Sequence, residues 1–290
     1  MGAKLLVAKN HDPVGTIGGG IMEYKLVKQA GDILERDNYT PEIQTLIHRK
    51  SGPGEKSGMI CAGKQTNLYY LCHPEKDGET VERIKRNLEN DQSATLTIAP
   101  SGMLVKEQQP DVNKPQIKLS VRENGWLYEE QLLNFKRIAI IGGGHCSLAL
   151  SRVMKNLGYG VFVYETRENV FTITENRYTR SVQIVDDYRD AASLINYPEL
   201  TNVVVMTTDV NSDVRGLLGL IDLPSPFIGV MGSQAKIAEI LKRLKSEGIS
   251  EDQLSHLTAP VGTPMTSNTP EEIAISVAAQ ILQKRIQPTN

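Results

Sequence analysis

The 290 residues exceed one average domain and predict two. Lys and Arg total 32 against 34 Asp and Glu, and a formal net charge of −2 argues against a nucleic-acid coat. Hydrophobic residues at 40% and charged residues at 23% exclude a disordered or low-complexity chain, while aromatics at 5% imply an aliphatic core of the kind found between helices and a parallel sheet.

In chain order, Leu5–Ala8 and Val14–Ile17 read as paired strands around a His11-Asp12-Pro13 turn, followed by a helix over Ile21–Leu34. Ile43–His48, Asn67–Leu71 and Ala94–Ile98 read as strands, with a helix from Glu79 to Leu88. This first half is a mixed α/β unit. Lys106–Asn134 holds Pro110, Pro115 and several Gln and Asn, and predicts a connection with one hairpin and a domain boundary near Asn134.

The second half is regular. Arg137–Ile141 is a β-branched run, followed by glycines and then Leu148, Leu150, Val153, Met154 and Leu157 at helical spacing. Strands are predicted at Val161–Tyr164, Val182–Val185, Val203–Met206 and Phe227–Val230. Helices are predicted at Tyr188–Ile195, Ser212–Ile221, Gln234–Lys245 and from Thr269-Pro270-Glu271-Glu272 onward, where a cap, a first-turn proline and two acids coincide. The alternation predicts a Rossmann-like, doubly wound, mainly parallel sheet. The expected domains are therefore 1–134 and 135–290.

No apolar run approaches the roughly 18 residues needed to span a bilayer, and the apolar stretch in MGAKLLVAKNHDP is too short for a secretory segment. The three cysteines, Cys61, Cys72 and Cys146, then read as reduced thiols of a cytoplasmic protein. The five histidines show no metal-ligand spacing.

The strongest chemical signal is Gly142-Gly143-Gly144-His145-Cys146-Ser147, placed after a strand and opening a helix. Glycine permits the tight turn and the approach of a pyrophosphate, and the helix N-terminus offers free N–H groups. Ser147 stands at the third fingerprint glycine. Glu165 follows Gly144 by 21 residues, where a carboxylate accepts from a ribose 2′-hydroxyl, which predicts NAD(H) over NADP(H). The alternative is a glycine turn that only packs helix on strand. A second glycine run, Gly15-Thr16-Ile17-Gly18-Gly19-Gly20, precedes a helix bearing Glu23 and suits a phosphate or pterin ligand, or a bare turn. Cys61, in SGMICAG, is either an accessible thiolate or a small buried hydrophobe.

In order, GAKLLV…GTIGGG…E, SGMICAG, GGGH, GVMGSQAK and APVG…NTPEEIAISVAAQIL resemble the XdhC/CoxI family, the accessory or maturation factors of xanthine dehydrogenase and carbon monoxide dehydrogenase. The resemblance runs over nearly the whole sequence. It implies an N-terminal XdhC/CoxI domain, expected to begin here inside its usual extent, and a C-terminal Rossmann domain. It further implies a dimeric chaperone that binds the molybdenum cofactor (molybdopterin), assists its sulfuration with a sulfurtransferase and delivers it to a xanthine-dehydrogenase-type apo-enzyme.

Carried over, Gly18, Gly19, Gly20 and Glu23 fall on the family's first glycine stretch, Cys61 and Gly63 on its C-G-G motif, and Gly142, Gly144 and His145 on its GAGH turn. Lys236 falls on the lysine of its G-S-x-x-K segment. The implied cofactor site is thus Gly18, Gly19, Gly20, Glu23, Cys61 and Gly63, with Cys61 as a molybdenum ligand. Gly142, Gly144, His145 and Glu165 form the nucleotide site. Ala62 replaces the middle glycine of C-G-G, and Thr207-Thr208-Asp209-Val210 lacks the histidines the family often shows there. Two other functions stay open: an NAD-dependent oxidoreductase and a nucleotide-sensing regulator.

Overall fold

The computed structural model describes residues 2–36, 39–48, 63–123, 125–266 and 268–284. The chain divides into two compact units, Met1–Leu133 and Asn134–Asn290.

The first unit begins with β1 (Leu5–Leu6) antiparallel to β2 (Val14–Gly15), then α1 (Gly20–Leu34). A second antiparallel pair joins β3 (Glu42–His48) to β4 (Gly63–Tyr69). Helix α2 (Pro74–Glu89) follows, then β5 (Ala94–Ala99), β6 (Gly102–Glu107), β7 (Ile117–Arg122) and β8 (Gly125–Leu132), in sheet order β6-β5-β8-β7. Ala94, Leu96 and Ile98 alternate inward and pack with Val105, Leu132 and Ile84.

The segment expected to be a connection is therefore mostly sheet. Its hairpin is β7–β8, but β8 also pairs with β5 along its length. Buried Glu130 and Gln131 gave β8 a polar sequence. Both are satisfied: Lys4 Nζ and the Tyr128 hydroxyl donate to Glu130 at 2.6 and 2.8 Å, and the Gln131 amide bonds the backbone of Asp111. Helix α2 starts earlier than expected, with Pro74 in its first turn.

The second unit contains β9 (Arg137–Ile141), α3 (His145–Asn156), β10 (Gly160–Glu165), the short α4 (Phe171–Thr174), β11 (Ser181–Ile184) and the short α5 (Ala191–Leu194). Then come β12 (Thr201–Val205), α6 (Val210–Leu220), β13 (Ile228–Val230), α7 (Gln234–Ser246), α8 (Glu251–Ser255), β14 (Leu257–Thr258) and α9 (Pro270–Lys284). Among the described residues, six parallel strands run in the order β11-β10-β9-β12-β13-β14. Each strand of the first three-strand half lies outside its predecessor, and the order reverses between β9 and β12. That is the doubly wound arrangement with its switch point at the carboxyl ends of those two strands.

Both faces of the sheet are covered. On one face Leu150 and Met154 of α3 pack with Ala274, Val277 and Ile281 of α9. On the other, Val214 and Leu217 of α6 meet Ile237 and Ile240 of α7. Strands buried on both faces need continuous apolar runs, which is what RIAII and VVV supply. The region expected as one helix over Tyr188–Ile195 is a 3₁₀ turn followed by α5. Among the described residues no helix is long and apolar enough to cross a membrane.

Candidate functional site

The switch point is built from the β9–α3 turn and the loop between β12 and α6. Gly142 has φ of +103°, and a Cβ there would lie 2.7 Å from the Met206 carbonyl oxygen. The two loops therefore meet only because residue 142 is glycine. A Cβ on Gly143 would meet Ile173 at 2.6 Å, and the Thr172 hydroxyl donates to the Gly143 carbonyl. These two glycines are packing glycines. Gly144 differs: nothing lies within 4 Å of its Cβ direction. It is the N-cap of α3, with no side-chain cap, so the first-turn amides of α3 have no internal acceptor from that position. His145 is exposed beside it, Cys146 is half-buried, and buried Ser147 has a hydroxyl with no hydrogen-bond partner. The open cradle at Gly144 fits a phosphate group on backbone donors.

Glu165 ends β10 and corrects the expectation placed on it. Its side chain is fully buried. Oε2 accepts from the Gly143 amide at 2.8 Å and from Arg167 Nη2 at 2.8 Å. Oε1 accepts from the Thr166 amide at 2.8 Å, Arg167 Nε at 3.0 Å and the Tyr188 hydroxyl at 2.6 Å. Burial alone would raise its pKa, but the bonds from Arg167, Tyr188, Gly143 and Thr166 outweigh burial and hold it at about 2. Burial and then the Glu165 bond push Tyr188 up to about 12. The carboxylate pins the glycine turn and has no lone pair turned to a ribose.

Sequence reasoning missed a second buried carboxylate. Asp213, in the first turn of α6, is fully buried and accepts from the Thr207 amide at 3.0 Å and the Thr207 hydroxyl at 2.6 Å. Lys236 Nζ, in the first turn of α7, lies 2.5 Å from its Oδ2. Thr207 is the residue whose Cα would lie 3.0 Å from a Gly142 Cβ, so the ion pair fixes one wall of the turn. The signal available in the sequence was an acid four residues after Asp209, the capping residue of α6.

In the first unit, Gly18, Gly19 and Gly20 have φ of +132°, +72° and +70°, a conformation that favours glycine at each. Of their amides, that of Gly19 donates to this chain's own acid and that of Gly18 to the Thr16 hydroxyl oxygen at 3.3 Å. Glu23 Oε2 accepts from the Ile17 amide at 2.8 Å, the Gly19 amide at 3.1 Å and the Thr16 hydroxyl at 2.6 Å. These bonds, the one from Thr16 first, lower the Glu23 pKa. A ligand phosphate reaching the Gly19 amide would have to displace Glu23. Cys61 lies outside the described residues, and Gly63 is the first residue of β4. Among the described residues no group of three or more His, Cys, Asp and Glu is placed to hold a metal ion.

The XdhC Rossmann domain family matches residues 138–281. Among curated relatives, the uncharacterized protein YqeB of Escherichia coli strain K12 is 30% identical over 150 residues, and a probable xanthine dehydrogenase subunit of Bacillus subtilis strain 168 is 27% identical over 150 residues. Those residues are 51% of this chain but 27% and 43% of the two relatives, so this chain matches less than half of either. The crystal structure of a xanthine dehydrogenase from Bacillus halodurans superposes with a TM-score of 0.68 at 22% identity, covering 99% of this chain and 88% of that one. At that identity the likeness concerns the fold.

Proposed function

Through its C-terminal unit the chain belongs to the XdhC family, and we propose that it serves as a maturation factor for a xanthine-dehydrogenase-type molybdoenzyme. In this reading it holds the molybdenum cofactor, works with a sulfurtransferase in its sulfuration, and passes it to the apo-enzyme as a homodimer. The second unit takes a phosphate-bearing ligand at the uncapped α3 turn, either an adenine dinucleotide or a phosphorylated pterin. The observation that carries the ligand site is the open Gly144 cradle at the switch point, where ligands of doubly wound sheets bind. The family match supports the maturation role, and the name of the Bacillus subtilis relative supports the choice of client.

Occupation of the Ile17 and Gly19 amides by Glu23 supports placing the phosphate in the second unit rather than at the Gly18–Gly20 turn. The test is mass spectrometry of small molecules released from protein purified from cells that make the molybdenum cofactor, paired with activation of an apo-dehydrogenase by the same preparation. A phosphorylated pterin or dinucleotide near one per chain, with raised dehydrogenase activity, is expected. A preparation free of phosphorylated ligand and without effect on the dehydrogenase overturns the proposal.

A further inference from the structure

A carboxylate at the end of the second strand normally selects for an unmodified ribose, because it accepts from the 2′-hydroxyl and repels a 2′-phosphate. Here that rule has lost its physical basis. Glu165 is fully buried and receives donors from Gly143, Thr166, Tyr188 and Arg167 on its two oxygens. Its charge is neutralised at contact distance by the Arg167 guanidinium. What the strand end presents outward is Arg167, whose side chain is 48% exposed.

Two of the five guanidinium N–H groups, on Nε and Nη2, are directed to Glu165. The pairing fixes the plane of the guanidinium at the mouth of the β10 strand, and the acid that would repel an anion lies beneath it. We propose that Arg167 is the specificity-determining residue of this site and selects a 2′-phosphorylated adenine dinucleotide over the unphosphorylated one. A planar, pre-positioned guanidinium forms charge-assisted bonds to phosphate, while a 2′-hydroxyl finds no free acceptor at Glu165. The inference rests on the reading that the α3 turn binds a dinucleotide.

Calorimetric titration of the full chain with NADP+ and NAD+ tests it, using wild type, Arg167→Gln and Arg167→Lys. The ratio of the two affinities within one preparation is insensitive to the fraction folded. NADP+ is expected to bind roughly tenfold more tightly, with the ratio falling to within about twofold in Arg167→Gln and partly retained in Arg167→Lys. Equal or tighter binding of NAD+ by wild type overturns the proposal and leaves the dinucleotide reading standing. A preference for NADP+ that survives in Arg167→Gln overturns the assignment to Arg167. Binding of neither nucleotide overturns this inference together with the dinucleotide reading.

Discussion

Glu165→Gln isolates the pin that holds the glycine turn. Glutamine keeps the side-chain shape and can still accept from Tyr188, but it loses the charge that receives Arg167 and the amides of Gly143 and Thr166. A carboxyl group moved from 4.5 to about 2 in the folded chain contributes about 3 kcal/mol above the unfolded value. Arg167 is half-exposed, so its share is screened, and a loss of about 2–3 kcal/mol at pH 7 is expected. The sign follows from the lowered folded pKa: the contribution is present above about 4.5 and is lost as pH falls toward 2. Urea unfolding of the second unit by circular dichroism at pH 7 and pH 3 reads both effects. Trp126, the single tryptophan, lies in the first unit, and its fluorescence is the internal control. The variant should be less stable at pH 7 and should differ less from wild type at pH 3. A loss below about 1 kcal/mol at pH 7, or an unchanged difference at pH 3, refutes the assignment of Glu165 as a charged pin.

Gly142→Ala places a methyl 2.7 Å from the Met206 oxygen at φ of +103°, and a loss of at least about 2 kcal/mol in urea unfolding is expected; a near-neutral result contradicts the packing described. Lys236→Met leaves Asp213 buried without its cation and should cost about 3–5 kcal/mol, while the double variant Asp213→Asn with Lys236→Met recovers most of that loss. A double-variant loss equal to the sum of the losses in Lys236→Met and Asp213→Asn alone would show that the pair is not coupled. Glu23→Ala removes the acceptor of the Ile17 and Gly19 amides, so hydrogen exchange at both should speed up while β3–β4 stays protected; unchanged exchange argues against the closed turn.

The second unit was largely legible because each of its devices is local. Strands buried on both faces must be largely apolar, and Ile138–Ile141, VFVY and VVVM are. What the sequence could not disclose was where a carboxylate points. Glu165 sat at the expected distance from Gly144, yet its partners include Tyr188, 23 residues further along, and that contact exists only after β10 and the turn before α5 are in place. Asp213 reads as an ordinary first-turn acid until Thr207 and Lys236 close on it. In the first unit β6 and β8 were hidden for a related reason. Glu129-Glu130-Gln131 is a polar run, and burial of Glu130 and Gln131 is tolerable because Lys4, Tyr128 and backbone groups of Asp111, Lys114 and Pro115 bond them. The early start of α2 was masked by Gly78, a poor helix former within its second turn.

Gly144→Asp decides whether the uncapped α3 turn binds a phosphate. Aspartate at the N-cap accepts from the first-turn amides, so it strengthens the helix while filling the proposed phosphate position with negative charge. Its backbone, at φ of −76° and ψ of −171°, suits any residue, and the Cβ meets nothing within 4 Å. The measurement is the phosphorylated ligand retained per chain, by mass spectrometry of wild type and variant purified side by side, with the melting temperature of each. The expected variant is at least as stable as wild type and carries less than about a tenth of its ligand. A variant that melts normally and retains the wild-type load contradicts phosphate binding at the α3 turn.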